Sequence, residues 1–247
     1  MNRFLGTPST VLLALALFCL VQAQPAQSRQ GWRFVSPDTL EGWMRTDQVT
    51  LVNVMSRIEC LDHRIARSVC IACEQFASSM ETLRKDVKLV LYCESEMCHR
   101  SCLAADEAVK AGFREVYVLN GGLPAWKRAG YATESVQRVK RRPIPAVKAE
   151  ELKRWLMRHG QYAVLDIRSR EQYRREHLDG AVNIPFSELH ERYHELARDR
   201  GYLVVDDQGF RSFLASCYLA EKGFQVVRLY GGMAKWRSYK QAQEKRR

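Results

Sequence analysis

The segment VTLVNVMSR at residues 49–57 returns as YAVLDIRSR at residues 162–170, an offset of 113 residues. Before it, SPDTLEGWM at 36–44 answers VKAEELKRWL at 147–156, and after it RIARSVCIA at 64–72 answers HLDGAVNIP at 177–185 at the same offset. Further on, KAGFREVYVLNGGLPAW at 110–126 is matched by EKGFQVVRLYGGMAKW at 221–236, one residue shorter. Self-similarity over this span restricts the chain to two copies of one small unit rather than a single large fold.

Within each copy, short β-branched runs such as VTLVNV, VKLVLY and EVYVL alternate with amphipathic helical patterns. Runs apolar on both faces imply a parallel sheet covered by helices on each side. The expected class is α/β, two domains each with a small central parallel sheet flanked by helices. The first is expected over 31–135 and the second over 147–240, joined by a basic, proline-containing linker at 136–146 and followed by a basic tail at 241–247. Ligands of such sheets bind beyond the carboxyl ends of the strands.

The net charge of +11 suggests anionic partners, yet the excess sits in runs such as QRVKRRP and QEKRR that lack interleaved aromatics. Nucleic acid is therefore not an expected partner. Residues 1–23 have the pattern of a secretory signal peptide: Arg3, the apolar stretch VLLALALFCLVQA and small residues at Val21 and Ala23. The mature chain is expected outside the cytoplasm, periplasmic or secreted, with no membrane association after cleavage. Seven cysteines then remain, Cys60, Cys70, Cys73, Cys93, Cys98, Cys102 and Cys217. An odd number in an oxidising compartment leaves at least one thiol unpaired. Their clustering suggests chemistry more than stapling. Cys70 and Cys73 form a CxxC with no histidine–carboxylate cluster beside it, so packing is expected of them and no metal site is.

The stretch LYCESEMCHRSCLAA at 91–105 carries the chemistry. An apolar run stops at Cys93, a loop follows, and a helical pattern begins at Ser101. Amides of such a loop and of a helix N-terminus favour an anion, here a thiolate. That matters because a cysteine at its ordinary pKa near 8.5 is mostly protonated at neutral pH. Arg100 and His99 can add positive charge, whereas Glu94 and Glu96 oppose it unless they turn outward. In the second copy LVVDDQGFRSFLA places Asp206 where Cys93 stands.

With LDIRSREQYRREHLDGAVNIP and GFQVVRLYGGMAKW in the second copy and AGFREVYVLNGGLPAW in the first, the chain resembles a tandem rhodanese. The first copy departs at Asn53 and Met55, where the second has Asp166 and Arg168, and at Arg64 and Arg67, where it has His177 and Gly180. The resemblance implies sulfur transfer through a cysteine persulfide on Cys93, with Arg100, His99 and Ser101 around the anionic donor. It implies no cofactor. The expected partners are a small anionic sulfur donor such as thiosulfate or a persulfide, and a thiol, cyanide-like or protein acceptor. Six residues separate Cys93 from Arg100, against four between Asp206 and Arg211, so the first loop is roomier and resembles a variant with a second cysteine, Cys98. The second copy is expected to be inactive, with Asp206 paired to Arg211. Two alternatives stay open: a thiol–disulfide or sulfur-binding module using Cys93 and Cys98, and a non-catalytic scaffold.

Overall fold

The computed structural model describes residues 31–46, 48–94 and 99–245. The first domain runs β1 (Arg33–Val35), α1 (Pro37–Arg45), β2 (Val49–Asn53), α2 (Arg57–Asp62), β3 (Arg64–Ile65), β4 (Val69–Cys70), α3 (Cys73–Ser79), β5 (Lys88–Tyr92), α4 (His99–Lys110), β6 (Val116–Leu119), α5 (Gly122–Arg128) and β7 (Thr133–Glu134). The second runs β8 (Ala146–Val147), α6 (Leu152–Arg158), β9 (Tyr162–Asp166), α7 (Arg170–Arg175), β10 (Val182–Asn183), α8 (Leu189–Arg192), β11 (Gly201–Val205), α9 (Phe210–Glu221), β12 (Val226–Leu229) and α10 (Gly232–Glu244). Strand orders β1-β6-β5-β2-β4 and β8-β12-β11-β9-β10 are the same order twice, and every pairing within them is parallel. Each sheet thus places its central strand, β5 or β11, directly before the loop that begins with Cys93 or Asp206. The first domain adds a small antiparallel ribbon, β3 with β7.

Local sequence explains the joints. Ser56 and Ser169, 113 residues apart, each close a capping box, with Glu59 and Gln172 as the respective third residues. Asp166 and Arg168 form a buried ion pair at 2.6 Å. In the first domain Asn53 keeps only the backbone half of that arrangement, accepting from the Met55 amide at 2.9 Å. Its side-chain amide donates instead to the Tyr92 hydroxyl, which also meets Ser68 and accepts from the Ile65 amide. A neutral network therefore holds the end of β5, and burial pushes the Tyr92 phenol up from its ordinary value.

The domains are closely joined. Ile58 of α2 is buried in the core of the second domain, beside Leu165, Phe186 and Leu189. Asp62 of α2 accepts from the Val139 amide at 2.7 Å and pairs with Arg141 at 2.7 Å, so the basic linker is fastened down. Three expectations need correcting. Cys70 is not simply packed: it is disulfide-bonded to Cys60, with Cα atoms 5.9 Å apart, and ties α2 to β4. Cys73, expected only to pack, opens α3 with a free, half-buried thiol. The stretch 241–244 of the expected tail continues α10, since KQAQE holds no helix breaker. The expected signal peptide, residues 1–23, lies outside the described residues. No helix of the described residues is long and apolar enough to cross a membrane.

The paired glycines before α5 and α10 have one physical purpose. Gly232 adopts φ +58°, and a Cβ there would lie 2.5 Å from the Asp206 carbonyl oxygen and 2.7 Å from that of Asp207. The helix start must come this close so that the Met233 and Ala234 amides can donate to those carbonyls, at 2.9 and 2.8 Å. Gly232→Ala should therefore destabilise by clearly more than the 1–2 kcal/mol ascribed to left-handed backbone alone. Gly130→Ala is the control: φ is +82° but nothing lies within 4 Å. Its loss should stay near that backbone cost in denaturant titrations. Equal losses at the two positions would contradict the account.

Candidate functional site

Cys93 follows β5 at the floor of a cavity of about 870 Å³ between the domains. The carbonyl of Cys93 accepts from the Leu123 amide at 2.8 Å, so the Gly-Gly turn before α5 clamps the backbone of the loop. Its sulfur lies 3.9 Å from the Ser101 hydroxyl in the first turns of α4. Helix α4 starts at His99, two residues before the expected start, so His99 and Arg100 belong to its first turn. Cys93 is 2 % exposed and is itself disulfide-bonded. The structure is thus an oxidised form in which this sulfur is not a thiolate. The expected second cysteine, Cys98, and Glu96 lie outside the described residues.

Arg100 lines the cavity and pairs with Glu74 at 3.8 Å. His99 is exposed at the helix start. Cys73 reaches the same cavity; its thiol donates to the Arg100 carbonyl at 3.3 Å. Burial and Glu74 push that thiol up to about 11, with Arg100 opposing, which keeps Cys73 protonated and a poor nucleophile at neutral pH.

Glu94 is exposed at the mouth of this cavity. It opens onto the cleft, lining the same cavities as Glu59. Protein atoms crowding around Glu94, followed by the charge and hydrogen bond of Glu59, raise its carboxyl above the usual range, while Arg211 and Lys127 pull it down. Glu59 is 5 % exposed; one carboxylate oxygen accepts from the amide and hydroxyl of Ser56, and the other lies 3.5 Å from Nε of Arg211. A second, smaller cavity of about 350 Å³ adjoins, lined by Glu59, Asp62, His63, Glu94, Lys127 and Arg141 among others.

The second loop differs from expectation. Asp206 is not paired with the Arg211 side chain. Its carboxylate accepts three main-chain N–H groups: Gly209 at 2.7 Å, Arg211 at 2.9 Å and Ser212 at 3.1 Å. The amide cradle of this loop is thus filled by the protein's own carboxylate, and the Arg211 guanidinium is released to cross the cleft to Glu59. Asp207, the counterpart of Glu94, is neutralised by Arg237 at 2.8 Å.

Sequence reasoning missed Glu59, Lys127 and the crossing of Arg211. Glu59 carried one signal, the Ser-x-x-Glu capping pattern, but that pattern says only that a helix starts there. Among the described residues no group of three or more His, Cys, Asp or Glu is placed to hold a metal ion.

A family profile for the rhodanese-like domain matches residues 36–129 and 148–239. The "Probable molybdopterin-synthase adenylyltransferase" of Porphyra purpurea is 33 % identical over 97 residues, covering 38 % of this chain and 25 % of that protein. A tRNA sulfurtransferase of Aeromonas hydrophila is 37 % identical over 71 residues, 27 % of this chain and 15 % of that one. The chain spans a quarter to about half the length of the first curated relatives it matches. Among solved structures, the thiosulfate sulfurtransferase of Pseudomonas aeruginosa aligns loosely, with a TM-score of 0.40 and 20 % identity over 83 % of this chain and 44 % of that one.

The filled cradle has a direct test. Asp206→Cys, in a Cys93→Ser background, puts a thiol where three N–H groups converge on an anion. Its alkylation should titrate at least one pH unit below the ordinary value near 8.5. A midpoint at or above 8.5 would mean that the loop rearranges once the carboxylate is gone.

Proposed function

The chain belongs to the rhodanese-like family, in which it carries two copies of the domain, and from that premise we propose that it is an exported sulfurtransferase working through Cys93. The observation that carries this reading is the position of Cys93: at the carboxyl end of a central strand, on the floor of the interdomain cavity, beside the first turns of α4. In the reduced protein the Cys93 thiolate attacks the outer sulfur of a small donor. The donor's sulfur–sulfur bond breaks, its electron pair leaves with the departing group, and Cys93 holds a persulfide. A thiol or cyanide-like acceptor then attacks that outer sulfur and Cys93 leaves as thiolate. Arg100 is the cation assigned to the donor, with Ser101 beneath it and His99 at the rim.

Asp206 offers no sulfur, so the second domain serves by closing the cavity and by presenting Arg211 to the first. Export is supported by the N-terminal pattern and by the Cys60–Cys70 disulfide, which persists in oxidising compartments.

A second reading rests on a specific observation, the disulfide on Cys93. Cys93 then exchanges disulfides with partner thiols, with Cys98 assigned as the redox partner from the loop sequence. In either reading a thiol reductant must first open that disulfide.

Treating reduced protein with a persulfide or thiosulfate and mapping the peptides by mass spectrometry separates the two. Sulfur transfer predicts one added sulfur on the peptide bearing Cys93, and loss of at least 100-fold in turnover for Cys93→Ser, since the nucleophile itself is gone. Return to a form lacking two hydrogens, with no sulfur gained from any donor, favours disulfide exchange. Equal turnover in wild type and Cys93→Ser rejects both.

A further inference from the structure

The two loops treat the residue after the nucleophile position in opposite ways. Asp207 meets Arg237 in a close ion pair. Its counterpart Glu94 shares the walls of two adjoining cavities with another carboxyl, Glu59, one of them also lined by Cys93, and position 127, which answers to 237, holds Lys127. The counterpart of Glu59 in the second domain is the uncharged Gln172, which closes the same capping box. Capping therefore does not require an acid at position 59. Two carboxyls facing one confined cleft are costly to ionise together, and a proton shared between them is the low-energy state.

We propose that Glu94 and Glu59 hold one proton between them beside Cys93, and that Glu94 delivers it to a departing thiolate, so that the sulfur donor is a persulfide of a small thiol rather than thiosulfate. The inference rests on the sulfurtransferase reading and names its donor class. Glu94 is the catalytic acid, and Glu59 is the positioning residue that keeps the proton on it.

The step balances. The Cys93 thiolate attacks the outer sulfur of R–S–SH, and the new sulfur–sulfur bond forms as the R–S bond to that sulfur breaks. The electron pair departs on R–S⁻, which takes the proton from Glu94 and leaves as RSH. Cys93 now carries –S–SH and the carboxyl pair is fully ionised. The acceptor thiol returns its proton to the pair as its thiolate attacks the outer sulfur, and Cys93 departs as thiolate. A thiolate is a basic leaving group and gains from an acid. Sulfite, the leaving group of thiosulfate, departs as a stable anion and gains little, and thiosulfate itself is a dianion that the carboxyls repel.

The charges facing Glu94 set its working range. Glu59 on α2 raises it, while Arg211 on α9 and Lys127 on α5 lower it. Arg141 is committed to Asp62, and His63 is kept toward its neutral form chiefly by burial, with a ring nitrogen 2.9 Å from the Thr133 hydroxyl. Removing the negative partner by Glu59→Gln should therefore lower the Glu94 midpoint. Removing the positive one by Arg211→Gln should raise it.

The test uses the full chain, reduced beforehand, with glutathione persulfide and with thiosulfate as donors. Glu94→Gln should lower kcat/KM for the persulfide about 100-fold, the lower end of the usual range for a general acid, and lower kcat/KM for thiosulfate far less, since that constant reports only the donor half-reaction. Glu59→Gln, which keeps the cap as Gln172 does, should move the limb of the pH profile on which Glu94 loses its proton to lower pH; Arg211→Gln should move it the other way. Equal effects on both donors, or a preference of wild type for thiosulfate, would overturn the proposal. Infrared difference spectra at neutral pH should show a protonated carboxyl that disappears in Glu94→Gln. Its absence from wild type would overturn the proposal whatever the turnover. If the band is present but no donor transfers sulfur, the sulfurtransferase reading fails, and the donor assignment falls with it while the shared proton stands.

Discussion

The six residues of α2 hold this molecule together, because almost every one of them ties a different part of it. Ile58 is buried in the second domain's core, Cys60 is bonded to Cys70 of the neighbouring strand, and Asp62 fastens the linker through Val139 and Arg141. Glu59 closes the helix's own start and faces Arg211 of the other domain. Burying one isoleucine removes its side chain from water for about 2–3 kcal/mol, and the Asp62 contacts are charge-assisted hydrogen bonds that are stronger than neutral ones. The cavity above Cys93 has its shape because this helix is fixed from both sides. A change in α2 that loosened the domains would alter the site without touching the cysteine.

The two loops show how one backbone design can be used for different ends. In the second domain three main-chain N–H groups close on the Asp206 carboxylate, so the place where a small anion would sit is occupied. With no call on it from Asp206, the Arg211 side chain lies across the cleft. The first domain has a longer loop and a sulfur in place of the carboxylate. That arrangement makes the second domain a component of the first domain's site rather than an independent copy of it. Loss of the nucleophile in one copy and gain of a cross-domain cation by the other are two consequences of the same carboxylate.

The fold was largely legible because the repeat was. Two matching runs of strands, helices and Gly-Gly turns, at an offset of 113 residues through the first strands and a shorter one at Gly121-Gly122 and Gly231-Gly232, showed two copies of one α/β unit. The β3–β7 ribbon was not, because its two-residue strands lie 70 residues apart and carry no periodicity of their own. Cys93 and Arg100 line one cavity, and the Ser101 hydroxyl lies 3.9 Å from the Cys93 sulfur. Glu94 entered the sequence reading only as a charge opposing the thiolate unless it turned outward, since a sequence shows the charge of a residue but not Glu59, the carboxyl that opens onto the same cleft. Cys70 was misjudged for a similar reason. Its partner Cys60 precedes it by 10 residues, and only the return of the chain from α2 to β4 brings the two sulfurs together.

Electrostatic balance separates the copies more deeply than the loss of a cysteine does. The second domain keeps a buried Asp166–Arg168 pair beneath its loop and pairs Asp207 with Arg237. The first domain has Asn53 and Met55 beneath the loop and two carboxyls beside it. A neutral strand end cannot offset those carboxyls, and the cations that reach them, Arg211 and Lys127, come from helices on opposite sides of the cleft. Protonation, domain closure and access to Cys93 are therefore linked through the same few charges. Anything that draws Arg211 away from Glu59 strengthens the hold of the pair on its proton, and anything that brings a cation nearer weakens it. The domain that retained the sulfur is the one whose charge balance depends on its neighbour.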